Sequence, residues 1–286
     1  MLVSRVPAPL LAIVAILSVQ FGNAFAASFF EEAGPLGAAA LRLAWGAVII
    51  VAVVRPRVND WPARTWIGVA VLGIALAGMN SLIYLAIDSI PIGIAVTVEL
   101  FGPLAVALAG VRRWVDALWA IAALGGVLLL GIQAGGALSW VGLLCAAGAA
   151  LFWALYIVTS SRLGGRVRGV DGLVVAMVVA AVIVVPFGAG PAISAVRLDP
   201  WLLLVFALVA VLTSALPYAL EFMALKRMPA RVFGILSSLG PAVAALAGLL
   251  LLHQLLGPLQ LVAIGLVTAA SVGVVLSSRR QLPPPV

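Results

Sequence analysis

Long stretches without a charged side chain restrict the fold of this chain more than any other feature of its sequence. Six of them lie at 6–30, 65–87, 117–161, 172–196, 200–220 and 232–278. A helix that crosses a bilayer needs about 20 apolar residues, so each of the two longest stretches has room for two helices. Strands of a membrane barrel alternate apolar and polar residues over about 10 positions, whereas these stretches are apolar on every side. With 9% charged residues, against roughly 25% in soluble domains, the sequence predicts an all-α integral membrane protein.

Glycines, prolines and charge clusters divide these stretches into separate helices. Ten transmembrane helices are predicted, at 8–27, 36–54, 66–87, 92–110, 115–131, 140–160, 171–188, 201–224, 230–251 and 258–277. With this number, all but two of the 16 Lys and Arg residues lie on one side of the membrane, which the positive-inside rule assigns to the cytoplasm. Only Arg197 lies on the opposite side, and Arg42 lies within a helix. Both termini are therefore predicted to be cytoplasmic. The helices are predicted to contact the lipid bilayer.

The chain also repeats itself at a shift of 138 residues. This shift places Pro91 on Pro229 and Pro103 on Pro241, with the same spacing between the prolines in both copies. Because each copy has an odd number of helices, the second copy enters the membrane from the opposite face. The sequence therefore predicts an architecture found in many secondary transporters, two inverted five-helix repeats at 8–132 and 140–277.

The N-terminal apolar stretch has two interpretations. Arg5, followed by an apolar run and by Ala24-Phe25-Ala26, imitates a cleavable signal peptide. The repeat, however, requires this stretch as its first member. We therefore expect it to be a transmembrane helix.

Three charged residues lie within the predicted helices: Arg42, Glu99 and Glu221. A charged side chain in lipid costs at least about 2.5 kcal/mol, so each should face protein or water. At a rise of about 1.5 Å per residue, Arg42 and Glu99 lie about 9 and 10 Å below the outer ends of their helices. One interpretation is a structural ion pair that joins these two helices. The other is a substrate or proton site, in which Glu99 takes a proton or an ammonium group and Arg42 holds a carboxylate.

Further polar and aromatic residues within the helices are candidate substrate contacts. They are Gln20, Asn23, Asn80 and Tyr84 in the outer half, Trp153, Tyr156 and Ser237 in the inner half of the second repeat, and Tyr218 and Glu221 near the cytoplasmic end of the eighth helix. Ser237 takes the place of Glu99 under the shift, so the two repeats are chemically unequal. Two alternatives compete with these roles. Trp153 and Tyr156 are also typical of interfacial anchors, and Glu221 could extend toward Lys226 or Arg227 at the membrane surface.

Neither an enzyme nor a bound cofactor or metal is indicated by the sequence. His253, the only histidine, falls in a predicted loop where a metal site would lack partners, and the single cysteine, Cys145, has no partner for an intramolecular disulfide. Nucleotide-binding and Ser/His/Asp motifs are absent. The basic residues form small clusters without interleaved aromatic side chains, which argues against nucleic acid as a partner. The alternative to a transporter is a membrane-embedded scaffold or enzyme that moves no cargo.

Several segments resemble the drug/metabolite transporter superfamily and, within it, the bacterial threonine/homoserine exporter family with its paired EamA-type repeats. They are Ala40 to Leu43, Gly78 to Asn80 with Tyr84, Pro91 to Val96 with Glu99, Gly102 to Leu108, and Ala215 to Tyr218 with Glu221. The resemblance implies an inner-membrane secondary exporter of small amino acids that is driven by exchange with protons. An exporter of hydrophobic drugs or other metabolites is the alternative, because one fold in this superfamily moves unlike cargos. A homodimer is also compatible with the resemblance.

Overall fold

The computed structural model describes residues 6–109, 118, 121–122, 125–126, 139–229, 233, 236–237 and 239–279. Its helices are α1 (Ala8–Ala27), the single turn α2 (Phe30–Ala33), α3 (Pro35–Val54), α4 (Ala63–Ser89), α5 (Ile92–Glu99), α6 (Phe101–Leu108), α7 (Trp140–Leu163), α8 (Asp171–Leu198), α9 (Leu202–Ala210), α10 (Leu216–Arg227), α11 (Gly240–Leu251) and α12 (Pro258–Arg279). A π-helical segment, Val211–Ala215, joins α9 to α10. The described residues contain no β-strand.

Six helical stretches are long and apolar enough to cross a membrane, which confirms the predicted all-α membrane class. They are α1, α3, α4, α7, α8 and the continuous stretch Leu202–Arg227. The predicted helix at 92–110 is divided into α5 and α6, and the one at 230–251 is described as a helix from Gly240. The predicted helix at 115–131 lies largely outside the described residues.

The seventh predicted helix extends further than expected, since α8 ends at Leu198 and not at 188. The prediction treated prolines as breakers, but Pro186 and Pro191 both lie inside α8. A membrane helix tolerates proline where its neighbours satisfy the freed backbone groups. The C-terminal end of α8 was therefore placed too early.

The outer surface of the helices is apolar, as a lipid environment requires. Val53, Leu151 and Phe187 are each more than 70% exposed, at 77%, 75% and 71%. Exposed apolar surface on this scale is rare in soluble monomers and marks contact with membrane or protein. The polar residues predicted as site candidates, by contrast, are buried.

The interruption between α5 and α6 has a proline as its cause. Pro103 has no N–H, so the carbonyl of Glu99, four residues earlier, receives no helical hydrogen bond from it. The helix breaks at Leu100, directly after Glu99. This break places the Glu99 side chain at a helix end rather than in a continuous span.

A second irregularity lies in the π-helical segment, which precedes Pro217. Such a segment inserts an extra residue into the helical turn and is frequent at functional sites. Here it lies next to α1, where the hydroxyl of Ser18 donates to the carbonyl of Leu212 at 2.5 Å. The segment also places Ser214 and Tyr218 within hydrogen-bonding distance of one side chain of α3, Arg42.

Helices from the first and second halves of the sequence pack against each other in matched pairs. The helix α4 packs along α7, and α10 packs along α1. A shift of 138 residues carries the first of these pairs onto the second. It also exchanges α3 with α8, and these two helices pack against each other extensively. The packing is therefore consistent with a two-fold relation between the halves.

We expect Gly188→Ala to destabilise the protein and Gly190→Ala, two residues further along α8, to leave it folded. A Cβ at Gly188 would overlap the backbone oxygen of Leu36 and lie 2.6 Å from the Cβ of Ala40, whereas a Cβ at Gly190 would meet nothing within 4 Å. Overpacking of this kind costs about 1–3 kcal/mol. Thermal unfolding in detergent measures both variants. Equal melting temperatures would contradict the close approach of α3 and α8.

Candidate functional site

The guanidinium of Arg42 is the centre of a buried hydrogen-bond network that joins both halves of the chain. Its side chain is 2% exposed. The Nε donates to the Ser214 hydroxyl at 3.0 Å, and Nη1 donates to Asn23 Oδ1 at 2.8 Å. The Nη2 donates to the Tyr218 hydroxyl at 3.1 Å and also to Asn80 Oδ1. These four partners come from α1, α4, the π-helical segment and α10. All of them are neutral, so the positive charge of Arg42 is solvated by the protein without being cancelled.

Asn80 and Tyr218 are also hydrogen-bonded to each other, and the Asn80 amide is hydrogen-bonded to the backbone of α4. The Tyr218 hydroxyl donates to Asn80 Oδ1 at 2.7 Å, and Asn80 Nδ2 donates to the Leu76 carbonyl at 2.6 Å. The second bond fixes the orientation of the Asn80 amide, so that its oxygen faces Arg42. The side chain of Asn80 is therefore held by three hydrogen bonds on the α4 side of the network.

Two aromatic side chains complete the surroundings of Arg42. The guanidinium carbon lies 4.8 Å from the centre of the Tyr84 ring, within the range of a cation–π contact. The ring of Tyr156 lies 6.0 Å from the ring of Tyr218. Tyr84 and Tyr156 thus support Arg42 and Tyr218 from outside the cavity described next.

A small buried cavity of about 40 Å³ lies beside Arg42. Nine of the eleven predicted site residues line it: Gln20, Asn23, Arg42, Asn80, Glu99, Trp153, Tyr218, Glu221 and Ser237. Its apolar wall is formed by Ile16, Val19, Met79, Ile83 and Gly240. Helices from both halves therefore contribute to one polar cavity.

Two carboxyl groups share this cavity with Arg42. Glu99 is 7% exposed and Glu221 is 5% exposed. Among the described residues, neither carboxylate forms an ion pair with Arg42, whose hydrogen bonds all go to neutral groups. The structural ion pair between Arg42 and Glu99, one of the two interpretations of the sequence, is therefore not formed in this conformation.

The alternative of an interfacial anchor is wrong for two of the candidates. Trp153 and Tyr156 are 8% and 0% exposed, so they are interior residues. Glu221 lines the cavity, and the Lys226 Nζ donates to the carbonyls of Val167 and Gly169 at 3.2 and 3.1 Å rather than to Glu221. The division into outer and inner groups was also wrong, since Trp153 and Ser237 line the same cavity as Glu99.

Gln20 is a cavity residue that has a buried acceptor without a partner. Its side chain is 4% exposed and lines the cavity, and its Oε1 has no hydrogen-bond partner. A buried polar atom without a partner costs about 1–3 kcal/mol. Such an atom is a candidate for a contact that forms only when a ligand is bound.

Sequence reasoning missed Ser214, which accepts a hydrogen bond from Arg42. The signal was available, because Ser214 lies four residues before Tyr218 in a stretch with few polar residues. Residues four apart share one face of a helix. The apolar lining residues Ile16, Val19, Met79 and Ile83 carried no such signal.

The fold and the cavity together define a class of protein, a multi-pass membrane transporter. Its apolar helices enclose a polar cavity with one basic and two acidic side chains from both halves, which is where transporters hold their cargo. The described residues contain no group of three side chains suited to bind a metal ion.

Comparisons with known proteins give the family. Residues 140–276 match the model of the EamA-like transporter family. The threonine/homoserine exporter RhtA of Escherichia coli (strain K12) is 41% identical over 273 residues, which cover 94% of this chain and 91% of that protein. The exporter of the same name from Salmonella typhimurium (strain LT2) is 41% identical over 276 residues, with 95% and 92% covered. The chain belongs to the EamA-like transporters and, within them, to the family of these exporters, as the resemblance in the sequence indicated.

A solved structure supports the fold. A crystal structure of a protein that is 22% identical to this chain matches it with a TM-score of 0.65, over 96% of this chain and 98% of the other. The family, given by the exporters that are 41% identical and by the EamA-like model, makes the protein a multi-pass transporter of the inner membrane and not an enzyme.

Proposed function

We propose that this protein exports small amino acids, of the threonine and homoserine kind, across the inner membrane by alternating access. The observation that carries the proposal is the buried cavity, which presents a guanidinium and a carboxyl group to the same small ligand. An α-amino acid carries the two complementary charges. The names of the two exporters that are 41% identical to this chain point to the same class of cargo.

In this proposal Arg42 binds the carboxylate of the amino acid. The four hydrogen bonds of Arg42 use Nε, Nη2 and one N–H of Nη1. A guanidinium has five N–H donors, so one N–H of Nη1 is not used by these four partners. The neutral partners hold the planar group in place, and its charge is left for the ligand.

Glu99 binds the ammonium group of the amino acid or, in its place, a proton. No described side chain forms an ion pair with Glu99, so a cationic group of the ligand would supply the missing opposite charge. Exchange of the ammonium group for a proton at one carboxylate would couple export to proton entry. Gln20, Asn23, Asn80, Trp153, Tyr218, Glu221 and Ser237 form the rest of the proposed site, and Tyr84 and Tyr156 support it.

The size of the cavity fits a closed state between two open ones. A buried water needs roughly 10–15 Å³ of such space, so about 40 Å³ is smaller than an amino acid requires. The helices must therefore separate on one side to admit cargo and on the other side to release it. The break at Leu100 and the π-helical segment are the two places where such movement would be easiest.

The architecture that we propose for this cycle is ten transmembrane helices in two inverted repeats, at 8–132 and 140–277, with both termini cytoplasmic. The matched packing of α4 with α7 and of α10 with α1 supports it. The hydrogen bond between Asn80 and Tyr218 also supports it, because these residues are 138 positions apart and equivalent residues touch only near a two-fold axis. A homodimer stays a prediction.

The proposal is tested by loading proteoliposomes with radiolabelled threonine or homoserine and measuring efflux with and without a pH gradient. We expect efflux above that of protein-free liposomes, and faster efflux when protons can enter in exchange. If a folded protein moves neither amino acid, the substrate class is wrong, and hydrophobic drugs or other metabolites become the cargos to test. If efflux ignores the pH gradient, the proton coupling is wrong.

We expect Gln20→Leu to reduce the preference for threonine over valine by about 10-fold. Valine has nearly the shape of threonine but lacks the hydroxyl, and a site built to bind a hydroxyl rejects an analogue without one. In Gln20→Leu the buried acceptor is gone, so the penalty for valine disappears. Competition of each unlabelled amino acid against labelled homoserine measures the ratio. An unchanged ratio would remove Gln20 from substrate selection.

A further inference from the structure

Glu221 is the buried charged group that the proposed exchange at Arg42 and Glu99 leaves without a role. It is 5% exposed and lines the same cavity. The nearby Lys226 does not neutralise it, because Lys226 donates to the carbonyls of Val167 and Gly169. No ion pair involves Glu221 among the described residues.

The charges that face Glu221 do not balance when an amino acid is bound. Arg42 from α3 and Glu99 from α5 share its cavity, and the hydroxyl groups of Tyr156 from α7 and Tyr218 from α10 lie near it. The neutral side chains of Gln20 and Asn23 face it from α1. A zwitterion pairs its carboxylate with Arg42 and its ammonium group with Glu99, so Glu221 keeps an uncompensated negative charge.

An isolated carboxylate in a buried site is costly, and such a group takes up a proton or pairs with a cation. For a zwitterion the compensating charge has to be a proton on Glu221. A substrate with a second ammonium group brings that charge with it. One guanidinium, two carboxylates and a substrate of net charge +1 then sum to zero.

We propose that Glu221 is a second ammonium-binding position and that the protein also exports short diamino acids, such as diaminobutyrate. In diaminobutyrate an ammonium group replaces the hydroxyl of homoserine, so the two molecules have the same length and differ by one charge. The inference rests on the proposed function, because it assigns the α-carboxylate to Arg42 and the α-ammonium to Glu99. It adds a class of substrate in which the side chain, and not a proton, neutralises Glu221.

The common cavity of the two carboxyl groups sets the expected length of the substrate. Glu99 and Glu221 line the same cavity, so they act on neighbouring parts of one small molecule. A long chain such as that of lysine would need more room between its two ammonium groups. Short diamino acids are therefore expected to bind better than lysine.

The test is competition in proteoliposomes that export radiolabelled homoserine. We expect unlabelled diaminobutyrate to inhibit efflux at concentrations within a few-fold of those of unlabelled homoserine, and labelled diaminobutyrate to be exported. In Glu221→Gln we expect the half-inhibitory concentration of diaminobutyrate, relative to that of homoserine, to rise about 10-fold or more, as for loss of a buried charge pair. Glu221→Asp keeps the charge and should retain most of the preference. The exposed Asp88 supplies the control Asp88→Asn, in which the ratio should stay that of the wild type.

The outcomes separate this inference from the proposed function. If wild-type protein exports neither homoserine nor threonine, the proposed function has failed. If homoserine is exported but diaminobutyrate neither competes nor moves, the inference is overturned and the exporter proposal stands. The inference is also overturned if Glu221→Gln weakens both competitors by one common factor, since Glu221 would then not distinguish them. The wild-type competition decides whether short diamino acids are substrates even where a variant fails to fold.

Discussion

Replacement of Glu99 by glutamine should stop amino-acid export while the protein stays folded. Glutamine has the shape of glutamate but can carry neither a negative charge nor an exchangeable proton. Loss of one partner from a buried charge pair costs about 2 kcal/mol or more, which corresponds to a decrease of at least about 30-fold. Because Glu99 forms no ion pair with any described residue, its removal should leave the network around Arg42 intact.

Efflux of labelled threonine and homoserine from proteoliposomes measures this effect, with protein content matched to the wild type. The exposed Glu32 gives the control Glu32→Gln, which should export at the wild-type rate. Thermal unfolding of both variants should match that of the wild type within a few degrees. Undiminished and still proton-dependent efflux from Glu99→Gln would remove this carboxylate from the mechanism.

Replacement of Arg42 by lysine should damage both stability and transport. Lysine keeps the charge, but its single ammonium group cannot reach four acceptors on α1, α4, the π-helical segment and α10. At least two buried polar groups would lose their partner, each at about 1–3 kcal/mol. We therefore expect a melting temperature lower by about 10 °C, together with loss of export.

The matched control is Arg64→Lys, because Arg64 is exposed near the start of α4. It should unfold and export like the wild type. If Arg42→Lys had wild-type stability but no export, Arg42 would act on the substrate alone. If Arg42→Lys unfolded and exported like the wild type, the four hydrogen bonds would contribute neither to stability nor to transport.

Periodic and compositional signals were sufficient for the class of fold and for most helix positions. Stretches without charge are long enough to demand membrane helices, and α1, α3 and α7 lie close to where they were predicted. The end of α8 was misplaced, because local sequence does not reveal that neighbouring helices tolerate Pro186 and Pro191. The π-helical segment was also not predicted, since it depends on contacts with α1 and α3.

The composition of the site was largely predictable, but its arrangement was not. Polar side chains inside a membrane are rare enough to identify Arg42, Glu99 and Asn80 as candidates. Counting along helices gives a depth but no position around each helix axis, so it could not decide between an ion pair of Arg42 with Glu99 and the neutral partners that Arg42 has. The same limit left open whether Glu221 extends toward the membrane surface or lines the cavity, as it does.

If the two halves are the inverted repeats proposed above, the hydrogen bond between Asn80 and Tyr218 has a consequence for how such a chain would arise. Two equivalent positions that touch then correspond to a contact that, in a dimer of identical subunits, one residue would make with its own copy. With two copies of the first half, this contact would bring together two Asn80 side chains and also two Arg42 guanidinium groups. The second half carries Ala180 where the first carries Arg42, and Ser237 where it carries Glu99. On the proposed architecture, a duplicated and fused chain is free to differ between its halves, so a single cationic centre can occupy the cavity between them.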